Sequence, residues 1–381
     1  MIDEKGINKI IYESLHNSQL NYETLIGAHN FQEKLEDFLI KSKKPSLSKA
    51  KDLIRSLWEQ YRKIDYDSLL QELERTELGI QVLRNEHRDH VIHSAYVFIL
   101  GVYFYLNDPL IRGSFRHTID SNNGERDNQD SNKRRRSDDE EFIFQWLLTS
   151  TFHDLAYPYE IFSSFLKGNS EKINTIIKDN NKTNFVTLKP ILKEIDNLSN
   201  ERNSFDILNN TLHNSAKNHN INTINIKDYY SSNIDRGIMD HGILSALLFL
   251  RITDALYEKN HWSTDYFNAT MSKISLAMAL HNIPFHRPLD NIDDQSRSNS
   301  RPNLFYNPLG YLLILCDTLQ EWNRSLSGHR NISPEKIEIY YLNNEQRWDI
   351  QMNLNKAGVK KIQNELDNKI DHSDGIQYKF N

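Results

Sequence analysis

Phe142-Ile143-Phe144-Gln145-Trp146-Leu147-Leu148-Thr149-Ser150-Thr151-Phe152-His153-Asp154 decides how this chain is read. It is an apolar helical run that delivers an adjacent imidazole–carboxylate pair into the interior. Both groups are costly to bury unless something pairs or coordinates them. Working outward, the arrangement recurs. His93 opens His93-Ser94-Ala95-Tyr96-Val97, and the apolar run continues to Tyr105. His241 opens His241-Gly242-Ile243-Leu244-Ser245-Ala246, with Ser245 one turn on and Gly242 allowing close helix approach. His281 ends Ile274-Ser275-Leu276-Ala277-Met278-Ala279-Leu280, and Asp317 ends Leu312-Leu313-Ile314-Leu315-Cys316. A single buried histidine usually has an ordinary packing explanation. Six His/Asp residues at apolar-helix positions point to a shared metal.

Composition bounds the function. The chain has 381 residues, 38% hydrophobic and 26% charged, which suits a globular protein with a real core. A net charge of -6 offers no general attraction to nucleic acid or to an anionic membrane. The single cysteine, Cys316, excludes an intrachain disulfide framework and fits a reducing compartment. The opening MIDEKGINKI lacks the apolar core of a signal peptide. Runs such as Ala95 to Leu106 and Ile243 to Ile252 read as buried helices rather than membrane spans. A cytoplasmic protein is expected.

Three regions follow from the patterning. Residues 1–86 are helical and amphipathic: Leu53-Ile54-Leu57-Tyr61 shares one face, and Ser46 or Ser48 is a natural N-cap after the Lys43-Lys44-Pro45 break. Residues 87–330 hold all six candidates. Within them Ser121 to Glu140 has no apolar residue and reads as a disordered insert, with the basic cluster Lys133-Arg134-Arg135-Arg136 solvated. Asp290 to Asn303 is a second polar, loop-like stretch. Residues 331–381 change character. Ile337 to Leu342 and Trp348 to Met352 alternate with period two around Asn343-Asn344-Glu345-Gln346, which is a hairpin signal. A helix from Lys356 to Ile370 and a strand from Gly375 to Phe380 complete a small ββαβ appendage. The expected fold is therefore an all-α helical bundle with a small α+β unit at its C-terminus.

The order His, His-Asp, His, His, Asp resembles the HD-domain superfamily of metal-dependent phosphohydrolases. The likeness spans about His87 to Arg324. The doublet alone is a weak signal, but the flanking His-Ser-x-x-Val and His-Gly-x-x-Ser-Ala and the apolar run ending in Asp make it fairly specific. The resemblance implies a helical bundle, in which His93, His153, Asp154 and Asp317 bind one metal. Asp154 then bridges to a second metal held by His241 and His281. Two divalent transition ions (Fe, Mn, Zn, Co or Ni) suit an imidazole and carboxylate donor set, and a lone cysteine argues against a thiolate zinc site. Paired metals bind phosphate oxygens and lower the pKa of water. The expected substrate is a small phosphoester or a nucleotide.

Departures from the family pattern shape the rest. Many relatives continue His-Asp-Ile-Gly-Lys, whereas this chain reads His153-Asp154-Leu155-Ala156-Tyr157-Pro158-Tyr159-Glu160. No Lys is available there for phosphate, so Tyr157 or Glu160 is expected to line the pocket instead. The Gly-Tyr-Pro motif of cyclic di-GMP phosphodiesterases is absent. His90 resembles the histidine that precedes the first ligand in cyclic-nucleotide phosphodiesterases, where it protonates the leaving oxygen, although the spacing here is three residues and there four. As a catalytic acid it competes with a supporting role beside the ligands. Arg88 and Arg324 are candidates for bidentate phosphate contact, with an ion pair to Glu321 the other reading of Arg324. His286 reads as a loop histidine. Two alternatives remain: an HD-type diiron oxygenase, which shares the six-ligand order, and a non-catalytic HD module that senses nucleotides or binds a partner. Neither oligomeric state nor substrate identity is encoded in these patterns.

Overall fold

In the computed structural model, residues 6–17, 30–41, 46–59, 90–123, 137–163, 196–199, 202–217, 219, 223–283, 301–320, 337–352, 356–372 and 376–380 are described. The chain is mostly helical, with a small mixed sheet and a helix at the C-terminus, as the patterning predicts. Contacts sort it into two compact units. The first comprises Met1–Glu74, Glu86–Thr151 and Arg301–Asn381, and the second comprises Arg75–Asn85 and Phe152–Ser300.

The first unit is organised around α4, His90–Asn107, after α1 (Ile7–Asn17), α2 (Phe31–Leu39) and α3 (Leu47–Trp58). Ser46 caps α3, its hydroxyl accepting from Lys49 N, and Leu53, Ile54 and Leu57 form the buried face. The fourth residue predicted for that face, Tyr61, lies outside the described residues. Asn8 on α1 donates its amide to both Tyr96 Oη and Leu39 O at 3.2 Å, tying α1 to α4 and α2. An apolar helix with no polar face belongs in a core. By length and composition α4 could cross a bilayer, yet 78% of its residues are buried inside the protein.

Two further helices follow, α5 (Pro109–Asn123) and α6 (Asp138–Phe152). They extend into the segment expected to be an insert loop; residues 124–136 of it lie outside the described residues. The physical reason is a capping box. Ser137 Oγ accepts from Glu140 N at 3.2 Å, and Glu140 Oε2 accepts from Ser137 N at 2.7 Å. Asp139 then pairs with Arg112 and Arg116 and accepts from the Tyr105 hydroxyl at 2.5 Å. Burial would raise this carboxyl, but the hydrogen bonds from Arg112 and Tyr105 outweigh it and hold the group below the ordinary aspartate value.

Gly101 explains how α6 seats on α4. A Cβ there would lie 2.1 Å from Trp146 Cε2. The indole cannot easily retreat, because its N–H donates to Phe98 O at 2.9 Å. Gly101→Ala is therefore expected to destabilise by about 1–3 kcal/mol despite better helix propensity. The check is the thermal midpoint: a midpoint equal to or above wild type would mean that the indole shifts without cost.

The remaining elements of this unit are α11 (Pro308–Leu319), β1 (Ile337–Leu342), β2 (Arg347–Met352), α12 (Lys356–Lys369) and β3 (Gln377–Phe380). The predicted hairpin is present: β1 and β2 pair antiparallel with Ile339 opposite Ile350, and Gln346 takes a left-handed φ of 48° in the turn. β3 joins β2 in parallel, which requires the α12 crossover. Ile337, Ile339, Trp348, Ile350 and Met352 face inward in strict alternation. The Trp348 indole donates to Asp108 Oδ2 at 2.7 Å, and the Tyr103 hydroxyl to Ile339 O at 2.7 Å, so the sheet is stitched to α4 rather than hanging from it.

The second unit contains α7 (Ser204–Lys217), α8 (Ile226–Asp235), α9 (His241–Asn260) and α10 (Ser272–Leu280), with a short helical segment over residues 157–163. A π-helical turn, Phe267–Met271, leads into α10, in which every residue but Lys273 is buried. Arg202 and Ser199 satisfy the buried Asp254 on α9, and the Arg202 guanidinium stacks 4.8 Å from the Phe267 ring centroid.

Candidate metal site

A polar cluster in the second unit is built from two helix termini and a turn. Asp240 caps α9, its carboxylate accepting from Ile243 N at 3.1 Å. This cap fixes His241 as the first helical residue. His281 stands immediately past the end of α10. Gly242 lets the two helices meet: a Cβ there would come 2.8 Å from Met278 O and 3.0 Å from the His281 ring. His153 and Asp154 occupy the turn between α6 and the segment at 157–163. That turn is anchored to α9, because Ala156 N donates to Ser245 Oγ at 2.9 Å.

These placements bring three ligand atoms together. His241 Nε2 is 3.2 Å from Asp154 Oδ1 and 3.2 Å from His281 Nε2, and His281 Nε2 is 3.8 Å from the same carboxylate oxygen. A separation beyond about 10 Å would have ruled out a pair of ions sharing Asp154, since paired catalytic metals sit roughly 3.5–4 Å apart. Asp154 Oδ2 lies 3.4 Å from His153 Nε2, and the carboxylate is only 8% exposed.

The far ring nitrogens reveal which atoms carry protons. His281 Nδ1 is 2.6 Å from Met278 O, a pure acceptor, so Nδ1 bears the hydrogen. His241 Nδ1 is 2.5 Å from Glu160 Oε2, and the same argument applies. In the neutral form of each ring the Nε2 lone pair therefore turns toward Asp154 Oδ1. When both rings are neutral these three acceptors face one another, a contact that either a proton on His241 or a metal ion among them relieves. Ligands at about 2.0–2.1 Å from a tetrahedral ion lie roughly 3.3 Å apart, close to the spacing found here. Asp154, His241 and His281 can hold a metal ion. The proton behaviour agrees. Burial would lower the His241 pKa, but Asp154 and Glu160 outweigh it and raise it to about 10. The same carboxylates favour a metal ion there, which competes with the proton for His241 Nε2.

The first unit holds the other candidates. His93 Nε2 on α4 is 3.0 Å from Asp317 Oδ1 on α11. Gln320, the C-cap of α11, places Oε1 against His93 Nδ1. His93 thus follows the pattern of the second unit, its far nitrogen held and its near one turned to a carboxylate. His90 is buried at the start of α4, one turn before His93. Tyr157 stands edge-on to His241, ring centroids 5.4 Å apart. Arg88, Glu321, Arg324 and His286 lie outside the described residues. Gln320 was missed in the sequence although it sits three residues past Asp317, on the same helix face.

Compared with protein-family models, with curated proteins and with solved structures, the chain matches none of them.

Proposed function

We propose that this chain is a metal-dependent phosphohydrolase of the HD type, acting on a nucleotide or a related small phosphoester. The observation that carries the reading is the convergence of His241 Nε2, His281 Nε2 and Asp154 Oδ1, each imidazole locked by its other nitrogen. The donor set is nitrogen and oxygen without thiolate, which suits Fe, Mn, Zn, Co or Ni. The resemblance assigns His241, His281 and Asp154 to one ion and His93, His153, Asp154 and Asp317 to another, Asp154 being shared. When bound, such a pair supplies Lewis acidity to phosphate oxygens and a lowered pKa to water. The chain's own residues do the rest: His90 is the candidate to protonate the leaving oxygen, and Arg324 to grip a phosphate by bidentate contact.

The test is metal analysis of the purified protein combined with a panel of nucleotides and phosphoesters. We expect up to two transition ions per chain and metal-dependent phosphate release from at least one panel member. Redox-active iron without phosphate release would replace this reading with a diiron oxygenase. A chain that binds nucleotide but neither metal nor turnover would be a sensor or partner module.

A further inference from the structure

Glu160 has a position that the ligand pattern does not explain. Its Oε2 accepts twice from one residue, from the His241 backbone N–H at 3.1 Å and from the His241 ring at 2.5 Å. The backbone donor belongs to the first turn of α9, whose N–H groups have no partner within the helix and whose dipole favours a carboxylate. The ring donor is Nδ1, on the opposite side of the imidazole from Asp154. The Asn282 side-chain amide is 3.3 Å from the same nitrogen. The carboxylate decides the tautomer, because an unprotonated Nδ1 would leave two acceptors in contact at 2.5 Å. Glu160 itself is fixed by its segment, which Ala156 N and Ser245 Oγ join to α9.

We propose that Glu160 is a positioning residue, which holds His241 in its Nδ1–H tautomer, strengthens Nε2 as a donor and thereby sets how tightly the Asp154–His241–His281 triad retains its ion. The inference rests on the metal reading of that triad. It also distinguishes the two supporting residues chemically. His93 leans on a neutral amide, Gln320, whereas His241 leans on a carboxylate. Carboxylate support raises ligand basicity, and its removal typically costs about 10–100-fold in metal affinity.

The experiment titrates the full-length, chelator-stripped protein with Zn2+ against a competing chelator, for wild type, Glu160→Gln and Glu160→Ala. Glu160→Gln keeps an acceptor of the same shape without the charge. Zn2+ should bind about tenfold more weakly to Glu160→Gln, and up to about 100-fold more weakly to Glu160→Ala. The thermal midpoint of metal-free Glu160→Gln should stay near that of wild type. The visible band of bound Co2+ should shift in Glu160→Gln, which a purely structural role would not cause. If Glu160→Ala does not fold, Glu160→Gln alone decides. Wild-type Zn2+ affinity in a folded Glu160→Gln overturns the positioning role and leaves the metal site standing. Absence of Zn2+ binding by the wild type overturns both.

Discussion

Asp154→Ala yields a folded, helical protein stripped of its metal, with turnover reduced to background. The expectation comes from how the carboxylate is used. Oδ1 faces His241 and His281, Oδ2 faces His153, and the group is buried among these imidazoles. No other described carboxylate faces the Nε2 atoms of His241 and His281, because Glu160 is committed to the far nitrogen of His241. Under the proposed reading Asp154 serves both ions, so its loss removes both. Asp154→Asn sharpens the result. The amide keeps the volume but not the charge, so an equal loss of metal cannot come from a cavity. Far-ultraviolet circular dichroism reports the fold and elemental analysis the metal. Wild-type metal content in a folded Asp154→Asn would remove the central ligand from the proposal.

Much of the site was legible because burial leaves a trace in the sequence. His241 and His281 flank long apolar runs, and a polar residue there must be paired or coordinated, so the runs pointed to these candidates. Ser46 and the Asn343–Gln346 turn were readable for a different reason: capping and hairpin turns are local chemistry within four residues. Glu160 reads as a pocket-lining candidate in the sequence, but the supporting contacts themselves were not readable in the same way. Glu160 and His241 are 81 positions apart, and His93 and Gln320 are 227 apart, so only the packed chain joins them. The π-helical turn at Phe267–Met271 leaves no trace in the composition of an otherwise ordinary helix. Ser137-Asp138-Asp139-Glu140 is different again. Its capping-box spacing is present in the sequence, but the absence of apolar residues from Ser121 to Glu140 hides it. The acidic residues that read as loop are the first turn of α6, with Asp139 turned onto arginines of α5.

His90 and His93 share one face of α4 yet should fail in different ways when removed. His93 is buried with Nε2 3.0 Å from Asp317 Oδ1 and its other nitrogen against Gln320, the geometry of a ligand. His93→Ala should therefore lose metal, and activity with it. His90 stands one turn earlier, at the very start of the helix. Its side chain is also removed from water, and an imidazole there can carry a proton to a leaving oxygen. Such assistance typically contributes about 10²–10⁴-fold to a rate, so His90→Ala should keep its metal and lose turnover by a factor in that range. The two mutants need to be compared side by side, because activity falls in both and only metal stoichiometry separates them. A substrate with a more acidic leaving group adds a second check: it needs less protonation, so His90→Ala should recover part of its rate with it, whereas His93→Ala should not. If His90→Ala loses the metal while His93→Ala keeps it, the roles are exchanged, and the ligand face of α4 starts one turn earlier than proposed.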